Sequence, residues 1–141
     1  TWMVKKDLIS GGQWDEITRI SREAVKTMLG FELRHVGINC ADEAEAERTA
    51  RSFCALLGLE YRPGNSSIFA GTAVECMKTP FLGTRGHLAI GTNSVDRAVY
   101  HLELQGAAFD ESTRKTDAKG AAKSIYLKDE IGGFAVHLVQ K

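Results

Sequence analysis

Apolar and polar positions alternate in two different rhythms along this chain. From Asp15 to Leu29, Ile17, Ile20, Ala24, Val25 and Met28 recur every three or four residues, which predicts a helix with one apolar stripe. Asp15 is placed to cap its start and Gly30 to end it. The preceding fourteen residues, with Ser10-Gly11-Gly12, read as a short extended piece and a loop.

Beyond Gly30 the rhythm changes to short strands separated by turns. Phe31 to Asn39 is strand-like. Asp42 to Leu57 is a helix whose start carries Asp42 and, three residues on, Glu45, with Gly58 at its end. Short strands follow at Glu60 to Arg62, Ser66 to Ala70 and Thr72 to Lys78, and Pro80 and Gly83 then break the chain. The same order restarts: strand Gly86 to Thr92, helix Ser94 to Gln105, Gly106, then strands Ala108 to Glu111, Ala121 to Lys128 and Gly133 to Val139. Ser112 to Gly120 is polar throughout and reads as the longest exposed loop.

This order is an internal repeat. His35-Val36-Gly37-Ile38 matches His87-Leu88-Ala89-Ile90, and each opens a strand-helix-strand-strand-strand unit with a period of about 50 residues. The expected architecture is α+β: two βαβββ modules sharing one curved sheet, with both helices outside the cup.

Strand parity adds chemistry to the repeat. Successive strand residues face opposite sides. His35 is out of phase with Val36 and Ile38, His87 with Leu88 and Ile90, His137 with Val136 and Leu138, and Glu75 with Val74 and Cys76. The bulky apolar partners can pack under a helix while the four metal-competent side chains face the cup. Gly37, Ala73, Ala89 and Ala135 are small neighbours that leave room there. Three imidazoles and one carboxylate suit a divalent metal, and the residues alone do not choose among zinc, nickel, cobalt, iron(II) and manganese; zinc is the ion expected first. Arg85, Lys78 and Tyr126 are further candidates for meeting an anionic substrate. His101 falls in the helix of the second module and reads as a packing or surface residue.

Composition narrows the partners. The chain has 141 residues, with 18 basic and 18 acidic side chains and no net charge. No basic surplus points to nucleic acid, and no apolar run reaches the roughly 20 residues of a membrane span. Cys40, Cys54 and Cys76 show no pairing pattern, which fits reduced thiols in a cytoplasmic protein; Cys54 and Cys76 read as small core residues. The absence of an initiator Met suggests a piece of a longer chain.

The motifs His35-Val-Gly-Ile, Glu75, His87-Leu-Ala-Ile and Gly133-Phe-Ala-Val-His137-Leu resemble the vicinal-oxygen-chelate, or glyoxalase-like, superfamily over Phe31 to Lys141. The resemblance implies a cup that binds a metal through His35, Glu75, His87 and His137. It also implies a small 2-oxo or hydroxy-carbonyl acid held by two adjacent oxygens, and a homodimer. The family's last ligand is commonly a glutamate, and His137 in its place argues against glyoxalase I chemistry.

The first thirty residues are similar to a different family. Thr1-Trp2-Met3-Val4-Lys5-Lys6-Asp7-Leu8-Ile9, Trp14-Asp15-Glu16-Ile17-Thr18 and Arg22-Glu23-Ala24-Val25 resemble the end of a 2-keto-3-deoxy-6-phosphogluconate/4-hydroxy-2-oxoglutarate aldolase barrel. This likeness implies two parts: a barrel tail over residues 1–30, with its last helix, and the glyoxalase-like domain over 31–141. Thr1 would be the remnant of the aldolase's phosphate-binding segment, and Trp2 and Trp14 would pack against the barrel. The aldolase's Schiff-base lysine is absent from this sequence, so a metal-dependent lyase or isomerase activity would belong to the cup. The alternative is a non-catalytic module that binds a metabolite or dimerises the aldolase.

Overall fold

The computed structural model describes residues 4–141. Two helices come first, α1 (Lys6–Ser10) and α2 (Trp14–Leu29). The first module is β1 (Glu32–Asn39), α3 (Glu43–Leu57), β2 (Tyr61–Pro63), β3 (Ser67–Ala70) and β4 (Val74–Met77). The second is β5 (His87–Thr92), α4 (Val95–Glu103), β6 (Phe109–Thr116), β7 (Ala122–Leu127) and β8 (Ala135–Gln140).

All eight strands form one sheet in the order β2-β3-β4-β1-β5-β8-β7-β6. Read outward from the middle, each half runs first strand, fourth, third, second. The first and last strands of each module pair in parallel, β1 with β4 and β5 with β8. The antiparallel pair β1–β5 joins the modules. The repeat in the sequence is therefore a repeat in topology.

Each helix covers its own half of the sheet. Asp42 accepts a hydrogen bond from the Glu45 amide (2.7 Å), and Glu45 accepts one from the Ala41 amide (2.6 Å), so α3 starts with two reciprocally satisfied donors. Ser94 caps α4 through the Arg97 amide (3.3 Å). Under α3 lies a cluster of Cys40, Ala46, Ala50, Ile68 and Cys76; under α4 lie Val95, Ala98, Val99, Ile125 and Leu138. Leu29, at the end of α2, is buried in the second cluster. The Thr92 hydroxyl and Asn93 amide both donate to its carbonyl (2.7 and 2.9 Å), which ties α2 to the β5–α4 corner.

Several local expectations need correction. Lys6–Ser10 is a short helix, not an extended piece; a single turn is too short to show helical periodicity. Trp14 opens α2, after Gln13, which makes no side-chain cap, so Asp15 lies inside the first turn. There its charge complements the helix dipole rather than capping it. Strand β6 continues to Thr116, through most of the stretch read as a loop. It is an edge strand with register irregularities between Asp110 and Lys115, and such a strand loses the alternation that marks its neighbours. Cys54 is only partly buried, whereas Cys40 and Cys76 are core residues, and all three are free thiols. Trp14 is 62 % exposed, and Thr1 and Trp2 lie outside the described residues.

Candidate metal centre and cup

Two rungs of the sheet build the site. On the first, His35 lies opposite Ala89, Ala89 opposite His137, and His137 opposite Tyr126. On the next, Phe69 faces Glu75, Glu75 faces Gly37, Gly37 faces His87, and His87 faces Ala135. Paired residues share a face, so both rungs point into the cup. Large side chains alternate with Gly37, Ala89 and Ala135 along them, and the rings lean into the space that the small residues leave.

The result is a tight cluster. His35 Nε2 is 3.2 Å from His87 Nε2, and Glu75 Oε2 is 3.1 Å from the first and 3.0 Å from the second. The three histidines each offer a ring nitrogen within 4.8 Å of the other two. Glu75 joins the group through His35 and His87. Its second oxygen accepts a 2.6 Å hydrogen bond from Ser67 Oγ. His87 and His137 are buried, and His35 and Glu75 nearly so.

Protons alone satisfy this arrangement poorly. Two imidazole N–H groups both aimed at Glu75 Oε2 would converge on one oxygen and crowd each other, with their nitrogens only 3.2 Å apart. Removing either proton leaves a lone pair facing the carboxylate. His137 Nε2 and His87 Nδ1 are also buried with no hydrogen-bond partner among the described residues, and each such orphan costs on the order of 1–3 kcal/mol. A small divalent cation bonds such donors at roughly 2.0–2.2 Å, which puts neighbouring donors about 3 Å apart. The spacing, the donor types and the orphaned His137 nitrogen all fit that demand.

The charge states are consistent with it. Burial opposes ionisation of Glu75, but hydrogen bonds from His35, His87 and Ser67 outweigh it and hold the carboxyl far below its usual range. Burial, reinforced by His87 and His35, pulls the His137 imidazole down to about 3, so it is neutral and ready to ligate. Burial and then Glu75 push the Tyr126 hydroxyl up to about 12. Burial, then Cys40, raises the Cys76 thiol to about 11; it lies on the helix side of β4, so it is an inert core residue.

Of the other sequence candidates, Tyr126 is in the cup. Its ring stacks on His137, with centroids 4.4 Å apart and planes 10° from parallel, and meets the edge of Phe81 at 5.9 Å. Lys78 pairs with Glu43 at 2.6 Å, away from the cup lining. Arg85 is exposed and lies along Gly133. His101 borders a groove between α2 and α4. The cup is a cavity of about 680 Å³. Phe69, Phe81 and Lys115 on its wall, and Ser67 on the Glu75 carboxylate, were not among the sequence candidates. Ser67 and Phe69 share one face of β3, but Phe69 facing Glu75, and Ser67 reaching it from the neighbouring position opposite Met77, depend on a pairing that no local pattern reveals.

No protein-family model and no curated protein matches this chain. Solved structures do. The fold is glyoxalase-like, of the vicinal-oxygen-chelate type. Its neighbours include a Streptomyces coelicolor methylmalonyl-CoA epimerase variant in complex with 2-nitronate-propionyl-CoA, at 17 % identity and TM-score 0.55, covering 77 % of this chain and 96 % of that one. Methylmalonyl-CoA epimerase from Mycobacterium tuberculosis aligns at 19 % identity and TM-score 0.53, over 80 % of this chain and 89 % of its own. A hypothetical protein from Bacillus halodurans aligns at 16 % and 0.54, over 79 % and 94 %. At these identities the likeness concerns the fold. Among the described residues, no helix is long and apolar enough to cross a membrane.

Proposed function

We propose that this chain is a metal-binding glyoxalase-like domain that takes a small 2-oxo or hydroxy-carbonyl acid in its cup. His35, Glu75, His87 and His137 would hold one divalent ion. The observation that carries the reading is the triangle of His35, His87 and Glu75 beside the unpartnered Nε2 of His137. A bound ion supplies Lewis-acid polarisation of a substrate oxygen. The residues around it do the positioning. Ser67 fixes the Glu75 carboxylate, Tyr126 braces the His137 ring, and the Tyr126 hydroxyl stays protonated as a hydrogen-bond donor.

Residues 1–30 belong, on this reading, to the end of an aldolase barrel. The sequence likeness supports it, as does the exposed apolar surface of α2, where Trp14 and Met28 are 62 % and 42 % exposed. A second reading, a module that binds its metabolite without turning it over, draws on one observation. Glu75 is the sole carboxylate among the described cup-lining residues, and its charge is committed to the histidines, so no spare carboxylate base faces the cavity.

The test is metal uptake by purified, chelator-stripped protein, followed by calorimetry and elemental analysis. One zinc, nickel, manganese, cobalt or iron(II) ion per chain, lost in His87→Ala, supports the proposal. A protein that takes up none of these ions sinks it. Turnover of a 2-oxo or 2-hydroxy acid by the loaded protein then separates the catalytic from the binding reading.

A further inference from the structure

The cup has two unlike walls. Phe69, Met77 and Phe81 line one side. On the other, β6 and β7 present Lys115 and the hydroxyls of Ser112, Thr113 and Ser124. Lys115 stands opposite Ser124 in the β6–β7 ladder, and Ser124 stands opposite Val139, two residues from His137 on the same face of β8. Lys115 therefore belongs to the wall adjoining the site, at its exposed rim. Its charge reaches His137, where it adds to the forces against protonation of the imidazole.

What distinguishes Lys115 is its lack of a partner. The other cation of this wall, Arg114, is committed to Glu111 at 2.6 Å and to Asp96 at 3.4 Å. Among the described residues Lys115 has no carboxylate partner, and its ammonium group accordingly lacks a counter-charge. Among the described residues the only carboxylate of the cup lining is Glu75, already surrounded by imidazoles. With a divalent ion held by one carboxylate and three neutral histidines, the cup carries a net positive charge at its floor and a second one at its rim. A ligand that matches both has two acid groups, one beside the vicinal oxygens and one at the far end.

We infer that Lys115 selects a dicarboxylic 2-oxo or 2-hydroxy acid by pairing with the carboxylate remote from the metal. The inference rests on the metal-binding reading of the cup and goes further by naming the residue that recognises the second acid group. Because Lys115 is exposed, the pair forms in partly hydrated surroundings, and its effect is modest: about fivefold in affinity, the upper range for such an ion pair.

The experiment is calorimetric titration of the zinc-loaded chain with 2-oxoglutarate and with pyruvate, as diacid and monoacid probes. The wild type is expected to favour 2-oxoglutarate about fivefold. Lys115→Gln should bring 2-oxoglutarate down to the pyruvate affinity while leaving pyruvate and zinc binding within twofold, and Lys115→Arg should restore the preference. A wild type with no diacid preference, or a preference that survives in Lys115→Gln, overturns the inference. If the protein takes up another of the five ions in place of zinc, that ion is used; if it takes up none, the proposed function fails on its own, and the same two acids are titrated into metal-free protein. A Lys115-dependent diacid preference there sustains the role of Lys115, and its absence ends it.

Discussion

The imidazole of His87 lies across the Cα of Gly37. The two face each other in the β1–β5 pair, and a methyl group built on Gly37 would overlap the His87 ring. Gly37 also faces Glu75 on its other side. The missing side chain lets the histidine of the second module reach over β1 to the carboxylate of the first.

Gly37→Ala should therefore damage the site without damaging the backbone. Gly37 does not occupy a left-handed conformation, so alanine fits its φ and ψ. The added methyl must push His87 away from Glu75. Metal affinity is expected to drop at least about tenfold, the scale seen when ligand orientation is lost. Circular dichroism should be unchanged, and calorimetry of metal binding is the check.

Ser67→Ala removes the 2.6 Å hydrogen bond to Glu75 Oε1 and leaves that oxygen short of a partner. Ser67 is buried, so water does not readily replace it. A loss of roughly tenfold in metal affinity is expected, with the His35 and His87 contacts intact. An affinity equal to wild type would show that the histidines alone orient the carboxylate.

Metal should stabilise the fold, because binding to the native state alone adds RT ln(1 + [L]/Kd), about 2.7 kcal/mol at a hundredfold excess over Kd. A rise in Tm on adding zinc, reversed by chelator and absent in His87→Ala, is the expected pattern in a thermal melt.

The metal-free protein should lose stability in acid. His137 has a native pKa of about 3, below its unfolded value near 6.5. Below pH 6.5 the unfolded chain takes up a proton that the native chain refuses, so stability falls as the pH falls, towards a limit of about 1.4 kcal/mol per pH unit. Glu75, also held below its ordinary value, adds a loss of the same sign below about 4.5. Urea melts between pH 7 and 4 on chelator-treated protein should show this slope, and His137→Gln should flatten it above pH 4.5.

The core makes a contrasting prediction. Ile68 is 1 % exposed beneath α3, while Leu56 is 83 % exposed on that helix. Ile68→Ala should cost roughly 2–5 kcal/mol and Leu56→Ala less than about 0.5 kcal/mol by urea denaturation.

The repeat, the two βαβββ modules, the cap at Asp42, and the strand parity that turns His35, Glu75, His87 and His137 away from the helices were all legible in the sequence. These are properties of neighbouring residues: periodicity, capping groups and alternation are all written within a few positions of one another. Tertiary structure decided what depends on register between distant strands. It laid His87 over Gly37, brought Ser67 to Glu75, stacked Tyr126 on His137, and carried the irregular edge strand β6 far enough to put Lys115 on the cup wall. Lys78 and Arg85 looked equivalent to Tyr126 in the sequence, yet they lie away from the cup lining while Tyr126 stands on a rung of the site. The physical reason is that a strand's pattern fixes which face a side chain takes, whereas its partners across the sheet are fixed only when the whole ladder closes.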